Sequence, residues 1–373
     1  MKKICIVTGT RAEYGLLKSL IAHVSQEDAF ELQLIATGTH LSHEFGLTYK
    51  QIEQDGFVIN EKIEMLLSSD TPSAVVKSMG LATIEFSTAF QRLQPDLVVV
   101  LGDRFEMLAV AQTALILQIP IAHIHGGENT FGAYDDAIRH AITKMATWHF
   151  VSTEEHRKRV IQLGENPERI FNVGAMGIEY IFDLDLMSKE QLYTELNLNP
   201  KKPFFLITQH SETNGQANAI DDLLSTLEQY DVNLVFTKAN ADNGGREINK
   251  KIDNFVEFNK EAVCYDSLGQ LRYLSAVQHA RLVIGNSSSG LIEVPYLETP
   301  TVNIGNRQKG RACPNSVFTT GISKNEIEQG IKSALAFNGP YEKIFGEGEA
   351  TIKIMNILTS IPTFKIQKEF YDL

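Results

Sequence analysis

Acidic and imidazole side chains crowd into one short stretch of this chain. They lie in Gly102-Asp103-Arg104, His123-Ile124-His125-Gly126-Gly127-Glu128, Asp135-Asp136 and Arg139-His140. His210 joins them from the second half of the sequence. Such a gathering suits general acid–base chemistry, which needs one group to take a proton and another to give one. Not every member has to be chemical. Asp136 and Arg139 are three residues apart and read as a helix-surface ion pair. His140 and His149 read as structural, and Trp148 as core. His40 and His43 read as lining a cleft or capping a loop. The acid–base candidates are therefore Asp103, His125, Glu128, Asp135 and His210.

A second group of residues suits phosphate. In Gly285-Asn286-Ser287-Ser288-Ser289-Gly290-Leu291-Ile292-Glu293, small residues such as Gly290 let the backbone approach a ligand. Serine hydroxyls and exposed N–H groups at a helix N-terminus are donors for a diphosphate. Glu293 lies about one helical turn further on, where a carboxylate can accept both hydroxyls of a ribose. An ordinary serine N-cap has the same appearance. The buried strand before the segment and Arg307-Gln308-Lys309-Gly310-Arg311 after it favour the ligand reading. Arg11, in Gly9-Thr10-Arg11-Ala12-Glu13, adds a fork-shaped cation at another strand-to-helix turn. Neither a Gly-x-Gly-x-x-Gly fingerprint nor a P-loop is present.

The elements that must carry these residues follow a strand–turn–helix rhythm. Apolar runs cover residues 4–7, 32–36, 97–101 and 119–124, then 204–207, 232–236, 282–284 and 301–304. Continuous apolar runs alternating with helical patterns predict α/β architecture, with parallel sheets covered on both faces. The polar residues follow the strand ends, where open parallel sheets bind ligands. Two domains are expected: residues 1–177 on the sugar side and 200–348 on the nucleotide side. The seam falls between about 177 and 202. The helix and tail of 349–373 are expected to return to the first domain. Facing strand ends would form one cleft.

Composition narrows the function classes. The chain has 373 residues, 43% hydrophobic and 21% charged, with a net charge of -12. So acidic a protein is not built for a nucleic-acid backbone. No run reaches the roughly 18 apolar residues of a membrane span, and the first residues do not read as a signal peptide. The three cysteines, Cys5, Cys264 and Cys313, are odd in number and far apart, which suits a reducing cytoplasm. No zinc motif occurs.

Taken in order, Gly9-Thr10-Arg11-Ala12-Glu13-Tyr14, Gly102-Asp103-Arg104, His125-Gly126-Gly127-Glu128, Asp135-Asp136-Ala137-Ile138-Arg139-His140, Gly285 to Gly290 and Gly305-Asn306-Arg307-Gln308-Lys309-Gly310-Arg311 resemble the hydrolysing UDP-N-acetylglucosamine 2-epimerases of bacterial sialic-acid synthesis. The resemblance spans nearly the whole chain. It implies two Rossmann-like domains in the GT-B arrangement with an interdomain cleft. It implies conversion of UDP-N-acetylglucosamine and water to N-acetylmannosamine and UDP, by a homodimer or homotetramer with no cofactor and no metal. Matching positions place Ser287, Ser288, Glu293, Arg307 and Asn240 on UDP. They place Arg11, Arg104 and His210 at the diphosphate, and Asp103, Glu128 and Asp135 near the sugar. Two departures stand out. His125 occupies a position where many relatives carry Glu, and Ser211 follows His210 where they often carry Pro.

The chemistry this implies begins with the leaving group. The C2 hydrogen of the sugar is not acidified by a carbonyl, so UDP must depart first or early. Arg11, Arg104, Arg307 and the helix start at Ser287 would stabilise it. Proton loss then gives a 2-acetamidoglucal, and water adds with a proton delivered to the other face of C2. The nearest rival is the same reaction on UDP-2,4-diacetamido-trideoxyhexose (N,N'-diacetylbacillosamine), as in legionaminic-acid synthesis. Others are a non-hydrolysing 2-epimerase, a GT-B glycosyltransferase and a nucleotide-sugar sensor without catalysis.

Overall fold

A computed structural model of the protein describes residues 1–69, 71–129, 134–211, 219–239 and 245–373. The chain divides into two units. The first comprises Met1–Glu179 and Phe345–Leu373, the second Tyr180–Ile344. Each is a parallel sheet between helices, the expected α/β fold of two Rossmann-like domains.

The first unit holds β1 (Lys2–Thr8), β2 (Phe30–Thr37), β3 (Glu61–Ile63), β4 (Leu97–Leu101), β5 (Ile121–Ile124), β6 (Trp148–Val151) and β7 (Ile170–Asn172). They form one sheet in the order β3-β2-β1-β4-β5-β6-β7, every pair parallel. Strand periodicity explains why β1 and β4 are apolar throughout. Ile4 and Ile6, with Leu97, Val99 and Leu101, face one layer of helices. Cys5 and Val7, with Val98 and Val100, face the other. Successive side chains point to opposite faces, and both faces are covered. Helices Arg11–Gln26 and Ala350–Ser360 cover the first face through Leu17, Leu20, Ile21, Ile354 and Leu358. Helices Pro72–Leu93, Phe105–Ile116 and Tyr134–Met145 cover the second. Trp148 is only partly buried, packed on the rim of the first-face core against Phe171.

The second unit holds β8 (Phe204–Thr208), β9 (Asn233–Thr237), β10 (Ala262–Tyr265), β11 (Leu282–Gly285), β12 (Thr301–Ile304) and β13 (Val317–Thr320). Their order is β10-β9-β8-β11-β12-β13, again all parallel. Residues 180–199 belong to this unit. The short helix Lys189–Glu195, started by a Ser188–Gln191 capping box, buries Leu192 and Tyr193 against Phe204 and Leu206.

Each sheet reverses its strand order once, between β1 and β4 in the first unit and between β8 and β11 in the second. Side chains at these switch points meet no crossover on their carboxyl side, which leaves room for a ligand. The motif Gly9 to Glu13 follows β1, and Gly102 to Glu106 follows β4. His210 follows β8, and Asn286 to Ser289 follows β11. The chemistry-bearing segments thus sit at the two places that the topology leaves open.

Candidate active site

In the first unit the carboxylates gather on Arg139. Only 5% exposed, it enters from the helix Tyr134–Met145. Its Nη2 donates to Asp103 Oδ2. Its Nη1 donates to Glu128 Oε2 at 3.0 Å and to the His125 carbonyl at 3.2 Å. The expected helix-surface pairing of Arg139 with Asp136 is therefore corrected. Arg139 turns inward because two buried-side carboxylates need a cation there, while Asp136 faces His140 Nε2 at 3.7 Å. Asp103 itself follows Gly102, whose φ of +76° turns the chain out of β4. The carbonyl of Gly102 accepts from His123 Nε2 at 2.7 Å, which fixes that turn.

Two of the acid–base candidates are held rather than poised. Glu128 accepts on both oxygens, from Arg139 and from Ser152 Oγ at 2.9 Å. The loop around it is locked by Gly127 (φ +79°), where a Cβ would stand 2.5 Å from the His156 carbonyl. His125 adopts a left-handed φ of +63°. Its Nε2 accepts the Met176 N–H at 3.2 Å, which leaves the proton on Nδ1, 3.5 Å from Glu128 Oε1. Burial lowers its pKa, so the ring is neutral. In this arrangement His125 Nε2 is taken by Met176 and Nδ1 faces Glu128. Asp135 behaves differently. It is half-buried in the first turn of its helix, and burial, then the charge of Asp103, push its carboxyl up. Arg104 and Arg139 pull the other way.

A second carboxylate pair lies under the switch point. Glu106 is fully buried and holds Arg104 by two hydrogen bonds, Nε to Oε2 at 3.1 Å and Nη2 to Oε1 at 3.0 Å. Such a fork fixes the guanidinium plane. Glu13 accepts the Gly9 N–H at 2.8 Å. Burial, with the Glu106 charge, pushes it up to about 7 against that bond. Arg11 is exposed at the first residue of its helix.

Buried histidines make this unit acid-labile. Burial holds His123 at about 3, and His40 and His156 at about 4, against an ordinary 6.5. His123 supports Gly102, and His156 Nδ1 lies 2.9 Å from the Ser152 hydroxyl. His40, expected to line a cleft or cap a loop, is buried between Thr8 and Thr48 hydroxyls. Each ring is neutral when folded but protonates near 6.5 when unfolded. The stability it contributes is full above pH 6.5 and is lost as the pH falls towards about 4. At pH 5.5 the loss is about 1 kcal/mol per group. Thermal melts from pH 7.5 to 5.0 should show the first unit unfolding progressively earlier, and a flat profile would contradict this.

The second unit presents a cavity of about 460 Å³. His210, Ser287, Ser289 and Glu293 line it, with Tyr180, Tyr273 and residues 266–270. Asn286, fully buried, is the clasp. Its Oδ1 accepts the His210 N–H at 2.8 Å and its Nδ2 donates to the His210 carbonyl at 2.9 Å. Its own carbonyl accepts from Arg307 Nη1 at 3.0 Å and Gln308 Nε2 at 2.8 Å. Gly285 permits this closeness. At its φ of +136° a Cβ would fall 1.9 Å from the Thr208 carbonyl. Tyr180 Oη donates to Glu293 Oε1 at 3.0 Å, and Tyr273 Oη to Ser289 Oγ at 2.9 Å. Burial pushes the Glu293 carboxyl up, and Oε2 is buried with no partner among the described residues. An acceptor left in that state fits a ligand hydroxyl.

Three expectations for this unit change. The helix after Ser288 is a single turn, Ser289–Ile292, followed by a 3-10 turn at Val294–Leu297. Its dipole is correspondingly small, leaving local N–H and hydroxyl donors to do the binding. Gly290 is a packing residue: its N–H is bonded to the Ser287 carbonyl, and a Cβ there would meet Thr301 Cγ2 at 2.8 Å. Arg307 is exposed at the strand ends with its guanidinium on Asn286. Asn240 lies outside the described residues. Sequence reasoning missed Tyr180, Tyr273 and residues 266–270. The last could have been found from the polar, Gly-containing turn after β10, had β10 itself been legible.

Fold and site together define the class: an α/β protein of two Rossmann-like units, each gathering polar side chains at its switch point. A family model described as UDP-N-acetylglucosamine 2-epimerase matches residues 22–359. The chain belongs to that family. The GDP/UDP-N,N'-diacetylbacillosamine 2-epimerase (hydrolyzing) of Campylobacter jejuni is 44% identical over 336 residues, covering 89% of this chain and 87% of that protein. Polysialic acid biosynthesis protein P7 of Escherichia coli is 40% identical, covering 100% of this chain and 98% of that one. Among solved structures, the UDP-GlcNAc 2-epimerase of Neisseria meningitidis bound to UDP-GlcNAc superposes with a TM-score of 0.79 at 16% identity, covering 96% and 100%. Among the described residues, no helix is long and apolar enough to cross a membrane and no cluster suits a metal ion.

Proposed function

We propose that this protein is a hydrolysing 2-epimerase of a UDP-linked 2-acetamido sugar. The observation that carries the reading is the Asp103–Arg139–Glu128 array with Asp135 beside it, in a member of this family. Asp103 accepts from the Arg139 guanidinium and serves as base. Asp135, pushed up by burial and by Asp103, serves as proton donor. A carboxyl raised in this way keeps its proton for donation.

The steps balance without a redox partner. The C1–O bond of the sugar breaks and its electron pair leaves with UDP. The groups available to a departing diphosphate are Arg11 and Arg104 in the first unit, and Arg307, Ser287, Ser288 and His210 in the second. Asp103 takes the C2 proton, and the C–H electrons form the C1=C2 bond of a 2-acetamidoglucal. Water then bonds to C1 while Asp135 delivers a proton to the opposite face of C2; the proton that water sheds replaces the one Asp135 gave, and Asp103 releases its own to solvent. Glu293 accepts from the ribose hydroxyls, oriented by Tyr180. Asn240 is a further UDP contact. Glu128 and His125 hold Arg139 and its neighbours in place.

The identity to a relative named as hydrolysing supports release of free sugar. UDP-N-acetylglucosamine, giving N-acetylmannosamine for sialic-acid synthesis, is one substrate of this chemistry. The diacetylbacillosamine nucleotide is the second, favoured by the same relative. The enzyme is read as a cytoplasmic homodimer or homotetramer needing no cofactor. Turnover in deuterated water tests the reading. Free UDP should appear together with an epimerised free sugar carrying deuterium at C2. Unlabelled product excludes elimination and rehydration, and an epimer still bonded to UDP means a non-hydrolysing enzyme.

A further inference from the structure

The first unit carries a cavity of about 460 Å³ whose lining, Arg104 apart, the reaction steps leave unused. It opens beside Arg104 and Glu106, at the switch point itself. One wall is apolar: Phe45, Leu66, Leu67, Val75 and Phe105. The other carries the hydroxyls of Thr39, Ser68, Ser69 and Ser78, with the carboxylate of Glu44. Phe45 is 54% exposed and Leu67 39%. Large apolar side chains left open on a cavity rim next to acid–base machinery are the surface a ligand covers.

The chemistry of the walls says which ligand. A fully hydroxylated hexose would set its hydroxyls against Phe45 and Leu67 and lose water there without a partner. An acylated deoxy sugar would not. We propose that this cavity seats the C4 and C6 substituents of the sugar and selects a 4-acetamido-4,6-dideoxy ring over one with free hydroxyls. This rests on the 2-epimerase reading above. The two methyl groups, one from the second acetyl and one at C6, pack on Phe45, Leu66, Leu67 and Phe105. The second amide offers its N–H to Glu44 and its carbonyl to the hydroxyls of Ser68 and Ser69. Arg104 joins this cavity to the reacting ring, because its chain neighbour is Asp103 and its fork to Glu106 fixes its plane.

A methylene of added apolar contact discriminates by roughly 10-fold or more. The values of kcat/KM, read from UDP release, should therefore favour UDP-2,4-diacetamido-2,4,6-trideoxyglucose over UDP-N-acetylglucosamine by at least about 10-fold. Phe45→Ser and Leu67→Ser should each collapse that ratio towards one, and Phe45→Leu should retain most of it. A folding defect would lower both substrates together and leave the ratio alone. A wild-type ratio near or below one, or a ratio unmoved by both serine variants, overturns the proposal. If neither nucleotide sugar releases UDP, the epimerase reading fails and the cavity is read by calorimetry instead. Tighter binding of the diacetamido nucleotide that Phe45→Ser abolishes supports the cavity, and equal binding of the two overturns it.

Discussion

Replacing Asp103 by Asn is expected to cut turnover by about 10²-fold or more, with affinity for UDP largely intact. Asn keeps the shape of the side chain and its acceptor towards Arg139, but it cannot hold a proton taken from carbon. The substitution also weakens an ion pair, so a loss of activity alone would not separate base from scaffold. The discriminating readout is the step affected. With Asp103 as base, the slow step becomes loss of the C2 proton, and with it formation of the 2-acetamidoglucal from the nucleotide sugar. Hydration of a supplied 2-acetamidoglucal, which draws its proton from Asp135, should suffer far less. An Asp103→Asn enzyme that turns over within a few-fold of wild type would remove Asp103 from the chemistry. Equal damage to both half-reactions would make it a positioning residue only.

The contrast between Asp103 and Arg139 shows what a sequence can and cannot display. Asp103 follows the run 97–101, and a polar residue just past a buried strand was legible as a site residue. The same rule found Arg104, Glu128, His210 and Ser287. Arg139 obeyed no such rule. It sits on a helix, three residues from Asp136, and one-dimensional spacing offered a partner that the fold does not use. Only the packing of Tyr134–Met145 against the sheet brings its guanidinium to Asp103 and Glu128. For His125, residue type suggested a site position, but its left-handed backbone and the bond from the Met176 N–H to its Nε2 were not visible in the sequence. Among strands, the long central apolar runs were legible, whereas β3, β6, β7, β10 and β13 were not. All but β6 are edges of three or four residues with mixed burial, and β6 is a four-residue strand next to an edge. An edge strand has one neighbour and one exposed flank, so it carries neither length nor a continuous apolar run. Missing β10 also hid the cavity-lining turn that follows it.

Arg139→Met should be the most damaging single substitution in the first unit. Methionine fills much of the volume but removes a cation that Asp103 and Glu128 share. Two carboxylates are then left close together in a poorly solvated place. Stripping one partner from a buried ion pair costs about 3–5 kcal/mol, which for a unit of this size lowers the melting temperature by roughly 6–20 °C. Arg139→Lys restores the charge without the fork that reaches Asp103, Glu128 and the His125 carbonyl together. It should recover part of the stability and little of the activity. The informative variant combines Arg139→Met with Asp103→Asn and Glu128→Gln. Removing all three charges relieves the repulsion, so the triple variant should melt higher than Arg139→Met alone while staying inactive. Stability and catalysis then part company, as they must if the array stores charge for a reaction rather than holding the fold together. A melting temperature unchanged by Arg139→Met would mean that this guanidinium does not hold the two carboxylates, and the geometry on which the acid–base assignment rests would go with it.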